Sequence, residues 1–165
     1  MATCQQLQND YDRDTNILDT ANPQSSEYQE ALNDLLTRVT PALVAQNCVP
    51  ISLPSGTWQF DGNGFHGQLT LSLSGTFVVS VGLVVVVSGT ANIDAGFSDL
   101  ITNGTWDEDL QQLRFERQLI RPTQTFTQHY IGYLFANPFG TEPPTVAGTF
   151  TDPTQNRSFG WYMHQ

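Results

Sequence analysis

The fold is decided by SGTWQFDGNGFHGQLTLSLSGTF, residues 55–77. Two runs of alternating apolar and polar residues flank the turn sequence Asp61–Gly64 in this stretch. Glycine permits the positive φ of a tight turn, whereas threonine and aromatic residues favour a pleated, half-buried strand. The stretch therefore predicts an antiparallel β-hairpin.

The same Gly-Thr beginning recurs along the rest of the chain, each time before a short β-like run. The pairs are Gly56-Thr57, Gly75-Thr76, Gly89-Thr90, Gly104-Thr105 and Gly148-Thr149. Such a succession predicts an antiparallel meander, and closing a meander into a barrel removes the edge strands that invite aggregation. We therefore expect a mainly β protein with an antiparallel up-and-down β-barrel of about eight strands over residues 51–165, a size that can hold one small ligand.

Strands after the first hairpin are predicted from the alternation of apolar residues. They are Thr76–Val87, Ala91–Phe97, Leu100–Trp106, Gln112–Ile120, Gln124–Phe135, Pro144–Thr151 and Ser158–His164. Thr76–Val87 carries valines on both faces in its second half, so both faces need cover. The cover is either the N-terminal segment or a second copy of the chain, which predicts a homodimer through Val78–Val87.

Residues 1–50 have a helical pattern and are predicted to form an α-helical hairpin appended to the barrel. Leu7, Tyr11, Ile17 and Leu18 share a helical face before a break at Asn22-Pro23. A second helix follows, with capping-box spacing from Ser26 to Gln29 and a kink expected at Pro41, and ends near Asn47.

The only two cysteines, Cys4 and Cys48, stand at the open ends of this predicted hairpin. That placement predicts a disulfide and an oxidising compartment, secreted or periplasmic. The alternative is two buried free thiols in a cytoplasmic protein.

The hairpin stretch, residues 55–77, resembles the opening strands of the calycin barrels, the avidins and lipocalins. Those families begin with Gly-x-Trp, in which the Trp plugs one end of the barrel, and the matching residues here are Gly56 and Trp58. The resemblance implies an up-and-down barrel with a ligand-holding interior. Biotin binding is not implied, because Phe60 or Asp61 stands where avidins carry a polar residue for the ureido group of the ligand.

The charge composition narrows the choice of partner and cofactor. The formal net charge is -10 and all six basic residues are arginines. An acidic chain is repelled by phosphate backbones, so no nucleic-acid partner is expected. The absence of lysine excludes Schiff-base chemistry and a P-loop, and we expect no cofactor. The longest apolar stretch, Phe77–Val87, is too short to span a membrane.

Arg117 is the most informative candidate for the interior of the barrel. In Gln112–Ile120 it alternates in phase with Leu113, Phe115 and Leu119, so it is predicted to point inward. A buried guanidinium needs an anionic or carbonyl partner. The partner is either a carboxylate or keto group of a ligand or a structural Asp or Glu near the barrel floor; a shifted strand register would instead place Arg117 in solvent.

An aromatic wall around a ligand is predicted from residues that packing of the core would explain equally well. The predicted ligand-binding residues are Arg117, Trp58, Trp106, Phe115, Tyr130, Tyr133 and Trp161. Tyr130 and His129 are candidates for an acid–base group, although His129 also fits an ordinary wall histidine. The spacing of the three histidines matches no metal motif, so no metal site is predicted.

Three functions are compatible with these features. The first is a small-molecule-binding barrel that encloses a mainly apolar or aromatic ligand. The second is a barrel cyclase or isomerase that acts on a small flexible substrate in the same cavity, because such enzymes need little beyond shape and one placed polar group. The third is a protein-interaction or inhibitor module whose barrel is filled by its own side chains.

Overall fold

The computed structural model describes residues 1–46, 48, 51–74, 84–135 and 142–165. The chain divides into two compact units. The first comprises Met1–Ile51 and Ser74–Val85, and the second comprises Ser52–Leu73 and Val86–Gln165. The predicted division after residue 50 therefore differs by one residue from the first boundary between these units.

The first unit contains α1 (Cys4–Thr20), α2 (Ser26–Asp34), a π-helical turn (Leu35–Val39) and α3 (Thr40–Ala45). Thr3 and Gln6 form a capping box at the start of α1. The cap of α2 is Ser25 rather than Ser26, and its hydroxyl accepts from the Tyr28 N–H. Pro41 lies in the first turn of α3, directly after the π-helical turn.

A small apolar core holds these helices together. Leu7, Leu35, Val39 and Leu43 are fully buried and pack on one another. Cys4 and Cys48 are at disulfide distance, with Cα atoms 5.2 Å apart, as the predicted hairpin requires. The pairing closes 44 residues of chain, which by loop entropy stabilises this unit by about 2–4 kcal/mol.

The β portion is a closed antiparallel barrel in which every strand pairs with the next and β8 pairs with β1. The strands are β1 (Gly56–Gly62), β2 (Phe65–Ser74), β3 (Val84–Asn92), β4 (Asp99–Asp107), β5 (Gln112–Ile120), β6 (Thr125–Phe135), β7 (Thr145–Asp152) and β8 (Arg157–His164). This topology confirms the predicted up-and-down barrel of eight strands with N-terminal helices.

The predicted strand Ala91–Phe97 is wrong. β3 continues to Asn92, and the residues after Ile93 form a turn in which the Phe97 N–H donates to the Asp94 carbonyl. Gly96 has a φ of 83°, which breaks the pleat there. Most of the predicted dimer strand Val78–Val87 lies outside the described residues, and within its described part Val86 is exposed.

The two ends of the barrel differ in their connections and in their inward-facing side chains. One end, which we call the open end, carries the short turns after β1, β3, β5 and β7. The other end, which we call the closed end, carries the turn between β4 and β5 and the start of β1. At the turn after β1, Asn63 and Gly64 both have positive φ, as the Asn-Gly pair predicts.

Candidate functional site

A layer of five aromatic side chains crosses the middle of the barrel. This aromatic layer consists of Phe60, Phe115, Tyr130, Phe150 and Trp161. The Tyr130 ring stacks on Phe115 at 4.6 Å and on Phe150 at 4.9 Å, and it meets Trp161 edge-on at 5.6 Å. Offset stacks and edge contacts of this kind add to the stabilisation from burial alone. The layer separates the two ends of the barrel interior.

The closed end is filled by apolar side chains. Trp58 and Trp106 are fully buried there, together with Leu71, Leu113 and Met163. Both indole N–H groups are satisfied, Trp58 by the Pro54 carbonyl at 3.1 Å and Trp106 by the Glu108 carboxylate at 2.6 Å. Trp58 and Trp106, predicted as ligand contacts, therefore belong to the core and are not among the described residues that line the cavity at the other end.

The open end contains a cavity of about 250 Å³ above the aromatic layer. Its aromatic lining is Phe60, Phe65, Phe126, Tyr130, Phe150 and Phe159, and its polar lining includes Asp94, Arg117, Gln128 and Asp152. Phe65 is exposed at the rim, whereas Phe60, Tyr130 and Phe150 are buried deeper in the barrel. The cavity thus combines apolar rings with a few polar groups, which is the usual make-up of a small-molecule site.

Arg117 points inward, as the alternation in β5 predicts, and it is held by a carboxylate of the protein. The residue is 4% exposed. Its Nε and Nη2 atoms donate to Asp99 Oδ2 at 2.9 and 2.6 Å, and Nη1 donates to Gln128 Oε1 at 3.4 Å. This geometry matches the structural-pair alternative and leaves Arg117 a wall of the cavity rather than a free anion receptor.

A second arginine completes the pairing around Asp99. Arg121 Nη1 donates to Asp99 Oδ1 at 2.7 Å, and Arg121 Nη2 donates to Asp94 Oδ2. The Arg121 guanidinium also lies 3.9 Å from the centre of the Phe97 ring. Burial raises the pKa of Asp99, but hydrogen bonds from Arg121 and Arg117 outweigh that effect and hold the pKa below its ordinary value. Asp99 therefore stays ionised.

Gln128 links Arg117 to a second buried carboxylate, Asp152. Gln128 Oε1 accepts from the Tyr130 hydroxyl at 2.8 Å, and Gln128 Nε2 donates to Asp152 Oδ2 at 3.4 Å. Burial raises the pKa of Tyr130 to about 12, against a smaller lowering by Arg117, so the hydroxyl keeps its proton. The neutral Tyr130 hydroxyl thus donates to Gln128, whose side chain also contacts the charged groups of Arg117 and Asp152.

The remaining predicted site residues separate into two groups. Phe115 and Trp161 lie in the aromatic layer, in ring contact with Tyr130. His129 and Tyr133 are exposed on the outer face, where His129 Nδ1 lies 3.4 Å from Glu116 Oε1 and the Tyr133 hydroxyl accepts from Gln112 Nε2 at 2.7 Å. His129 and Tyr133 therefore do not reach the cavity, because strand alternation sends them to the opposite side from Tyr130 or Gln128.

Asp152, like Gln128, lines the cavity but is not among the residues that the sequence analysis predicts for the site. In β7 the inward positions are Val146, Gly148, Phe150 and Asp152. Counting alternate residues from Phe150 would have placed the Asp152 carboxylate inside the barrel.

Comparison with family models, with curated proteins and with solved structures found no match to this chain. The calycin resemblance of residues 55–77 therefore stays a prediction. Within the described ranges, no group of three or more His, Cys, Asp or Glu side chains has a metal-binding arrangement. Over the same residues, no helix has both the length and the apolar character needed to span a membrane.

Proposed function

We propose that this protein binds a small, mainly apolar or aromatic molecule in the cavity at the open end of the barrel. The supporting observation is the cavity itself, about 250 Å³ of space above a packed aromatic layer. A concave space lined mainly by apolar and aromatic side chains with a few polar groups is typical of a small-molecule site. The side chains of Leu119, Phe126 and Phe159 give the cavity an apolar lining.

The closed end and the aromatic layer explain how the site keeps its shape. Trp58, Trp106 and Leu113 fill the barrel below the layer and are fully buried. Side chains locked by such packing hold a site in place before a ligand arrives, which lowers the entropic cost of binding. A barrel filled throughout, as an interaction module would have, is therefore less well supported than a half-filled one.

Binding is favoured over catalysis by the state of the polar groups. Among the described cavity residues, Arg117 is already paired with Asp99, and Tyr130 holds its proton at neutral pH. General acid–base catalysis works best with a group whose pKa lies near the working pH. These groups are better suited to orienting a bound molecule than to moving its protons.

The paired cysteines indicate the compartment in which the protein works. Cys4 and Cys48 are at disulfide distance. Because disulfides persist in oxidising surroundings, we infer a secreted or periplasmic protein.

The test of binding uses the neutral fluorescent probe N-phenyl-1-naphthylamine, whose emission rises in apolar surroundings. We expect saturable binding with one site per chain. Leu119 lines the cavity, and the variant Leu119→Phe places an aromatic ring there. We expect the variant to bind the probe about tenfold or more weakly, because the added ring occupies the space that the probe needs.

The matched control is Ile120→Phe, which adds the same ring to the neighbouring residue of β5. Ile120 is 60% exposed on the outer face, so its replacement should leave probe affinity unchanged. Equal affinities of the two variants would show that the probe binds elsewhere, and absence of saturable binding to the unmodified protein would contradict the proposal.

A further inference from the structure

Asp152 is a buried carboxylate in the cavity wall without a cation beside it. The residue is 7% exposed and lines the open-end cavity. Its Oδ1 accepts from the backbone N–H of Thr154 at 2.8 Å and from the Thr154 hydroxyl, and its Oδ2 accepts a long contact from Gln128 Nε2 at 3.4 Å. The backbone N–H of Gln155 also acts on the carboxylate, so all of these donors are neutral. Within the part of the chain that the structure describes, Asp152 forms no ion pair.

The nearest candidate in sequence does not provide that cation. Arg157 faces Asp152 across the β7–β8 hairpin in the strand register, but it is exposed and makes no ion pair with Asp152. Burial raises the pKa of Asp152, and the hydrogen bonds from Thr154 and Gln128 overcome this effect and lower the pKa. The carboxylate is thus ionised, and buried charges in proteins are normally paired.

The described residues around the cavity include three carboxylates and two guanidinium groups, so one negative charge is not balanced. Asp94 and Asp99 are balanced by Arg117 and Arg121, which they contact directly. Asp152 is the third carboxylate of this group and has no counterpart there. The rings of Phe126, Phe150 and Phe159 line the same cavity, and aromatic faces attract cations.

From this juxtaposition we propose that the ligand of the cavity is a protonated primary amine on an aromatic or apolar body, with its ammonium group bound to Asp152. The inference rests on the proposed binding function and names the ligand class of the same site. An ammonium group supplies a positive charge and N–H donors to the Asp152 carboxylate, whose hydrogen bonds in the structure come from neutral groups, and the ligand body lies against the rings above the aromatic layer. A neutral or anionic molecule of the same shape would leave the carboxylate unpaired.

The first experiment compares three probes that share a ring and chain length and differ in charge. They are 2-phenylethylamine, 2-phenylethanol and phenylacetate, titrated calorimetrically into the unmodified protein at pH 7 and about 0.15 M salt, where distant charges are screened. A charge-assisted hydrogen bond predicts that the amine binds about 10- to 100-fold tighter than the alcohol. Phenylacetate should bind most weakly.

The second experiment removes the charge of Asp152. Asparagine keeps an acceptor for the Thr154 N–H, so Asp152→Asn preserves the turn while removing the anion. We expect the ratio of the dissociation constant for the alcohol to that for the amine to be at least about tenfold smaller in the variant than in the unmodified protein. The control Asp109→Asn removes the same charge from an exposed turn at the closed end and should keep the full preference.

The outcomes separate this inference from the proposed function. Equal or tighter binding of the alcohol or phenylacetate to the unmodified protein overturns the amine assignment, while saturable N-phenyl-1-naphthylamine binding would still support a ligand site. Failure of all three charged and neutral probes to bind also overturns the amine assignment. An unchanged amine preference in Asp152→Asn would show that another group recognises the cation.

Discussion

The closed and open ends of the barrel are built from the same strands but serve different purposes. β5 carries fully buried Leu113 at the closed end and Arg117 at the open end, and β7 carries Val146 and Asp152 in the corresponding places. The closed end thus buries apolar side chains and satisfied indole N–H groups, whereas the open end buries charged groups beside a cavity. Local departures from packing rules concentrate at functional sites, where they weaken stability. We expect stability to come chiefly from the closed end and, if the proposed function holds, recognition from the open end.

The largest expected effect is the loss of a tryptophan from the closed end. Trp58→Ala removes a fully buried side chain and leaves a void, which should lower the free energy of unfolding by about 3–5 kcal/mol. Phe126→Ala, at the half-buried rim of the existing cavity, should cost only about 1–2 kcal/mol. Urea unfolding followed by circular dichroism measures both. Equal costs would show that the two ends share the stabilisation evenly.

A smaller effect is expected where the aromatic layer divides the two ends. A Cβ at Gly132 would lie 2.7 Å from Cζ2 of Trp161, so Gly132→Ala should destabilise the barrel by about 1–3 kcal/mol through overpacking. Gly160→Ala is the matched control, because no atom lies within 4 Å of its Cβ and its effect should be about 0.5 kcal/mol or less. A tolerated Gly132→Ala would mean that Trp161 can move and that the layer is not a rigid floor.

The smallest effect is expected from acid, and it should arise at the open end. The folded-state pKa of Asp99 lies below its ordinary value of 3.8, so the unfolded chain binds more protons as the pH falls through 3.8. The stability from Asp99 is therefore present above that pH and is lost progressively below it. We expect the urea midpoint of the barrel to fall between pH 7 and pH 3, and to fall less in Asp99→Asn.

Tryptophan fluorescence isolates this response, because Trp58, Trp106 and Trp161 are the three tryptophans of the chain and all belong to the barrel unit. The helical unit has its own acid-sensitive pair, in which a hydrogen bond from Arg38 lowers the pKa of Asp34. Comparing unmodified protein with Asp99→Asn removes that contribution from the difference. An identical fall in both proteins would show that Asp99 does not carry the response.

The architecture was predictable because it depends on local patterns. Alternation predicted the inward direction of Arg117, the Asn63-Gly64 pair marked the first hairpin, and the helical spacing placed Cys4 near Cys48. The Gly-Thr pairs were wrong as turn markers, because Gly89-Thr90, Gly104-Thr105 and Gly148-Thr149 lie inside β3, β4 and β7. The predicted strand Ala91–Phe97 failed because its apolar residues continue past the point where Asp94 and Gly96 form a turn. Periodicity cannot distinguish a strand end from an apolar turn.

The site was less predictable because it depends on which strand positions lie at the same height in the barrel. Trp58 and Tyr130 both point inward, but only Tyr130 lies at the cavity. The two carboxylate partners of Arg117 are 18 and 23 residues away: Asp99 at the start of β4, and Asp94 in the turn that was predicted as a strand. Pairing across strands, rather than residue type, decides which inward side chains meet.

The rim of the cavity includes side chains from hairpin turns, among them Asn63 after β1, Asp94 after β3 and Gln155 after β7. The turns after β1 and β7 connect strands whose register is fixed along their whole length, whereas Asp94 is tied to Arg117 and Arg121 by ion pairs. If the cavity binds as proposed, exchange of Asn63 or Gln155 should retune selectivity with little penalty to folding, so that copies diverging at these two turns take different cargoes on one unchanged framework.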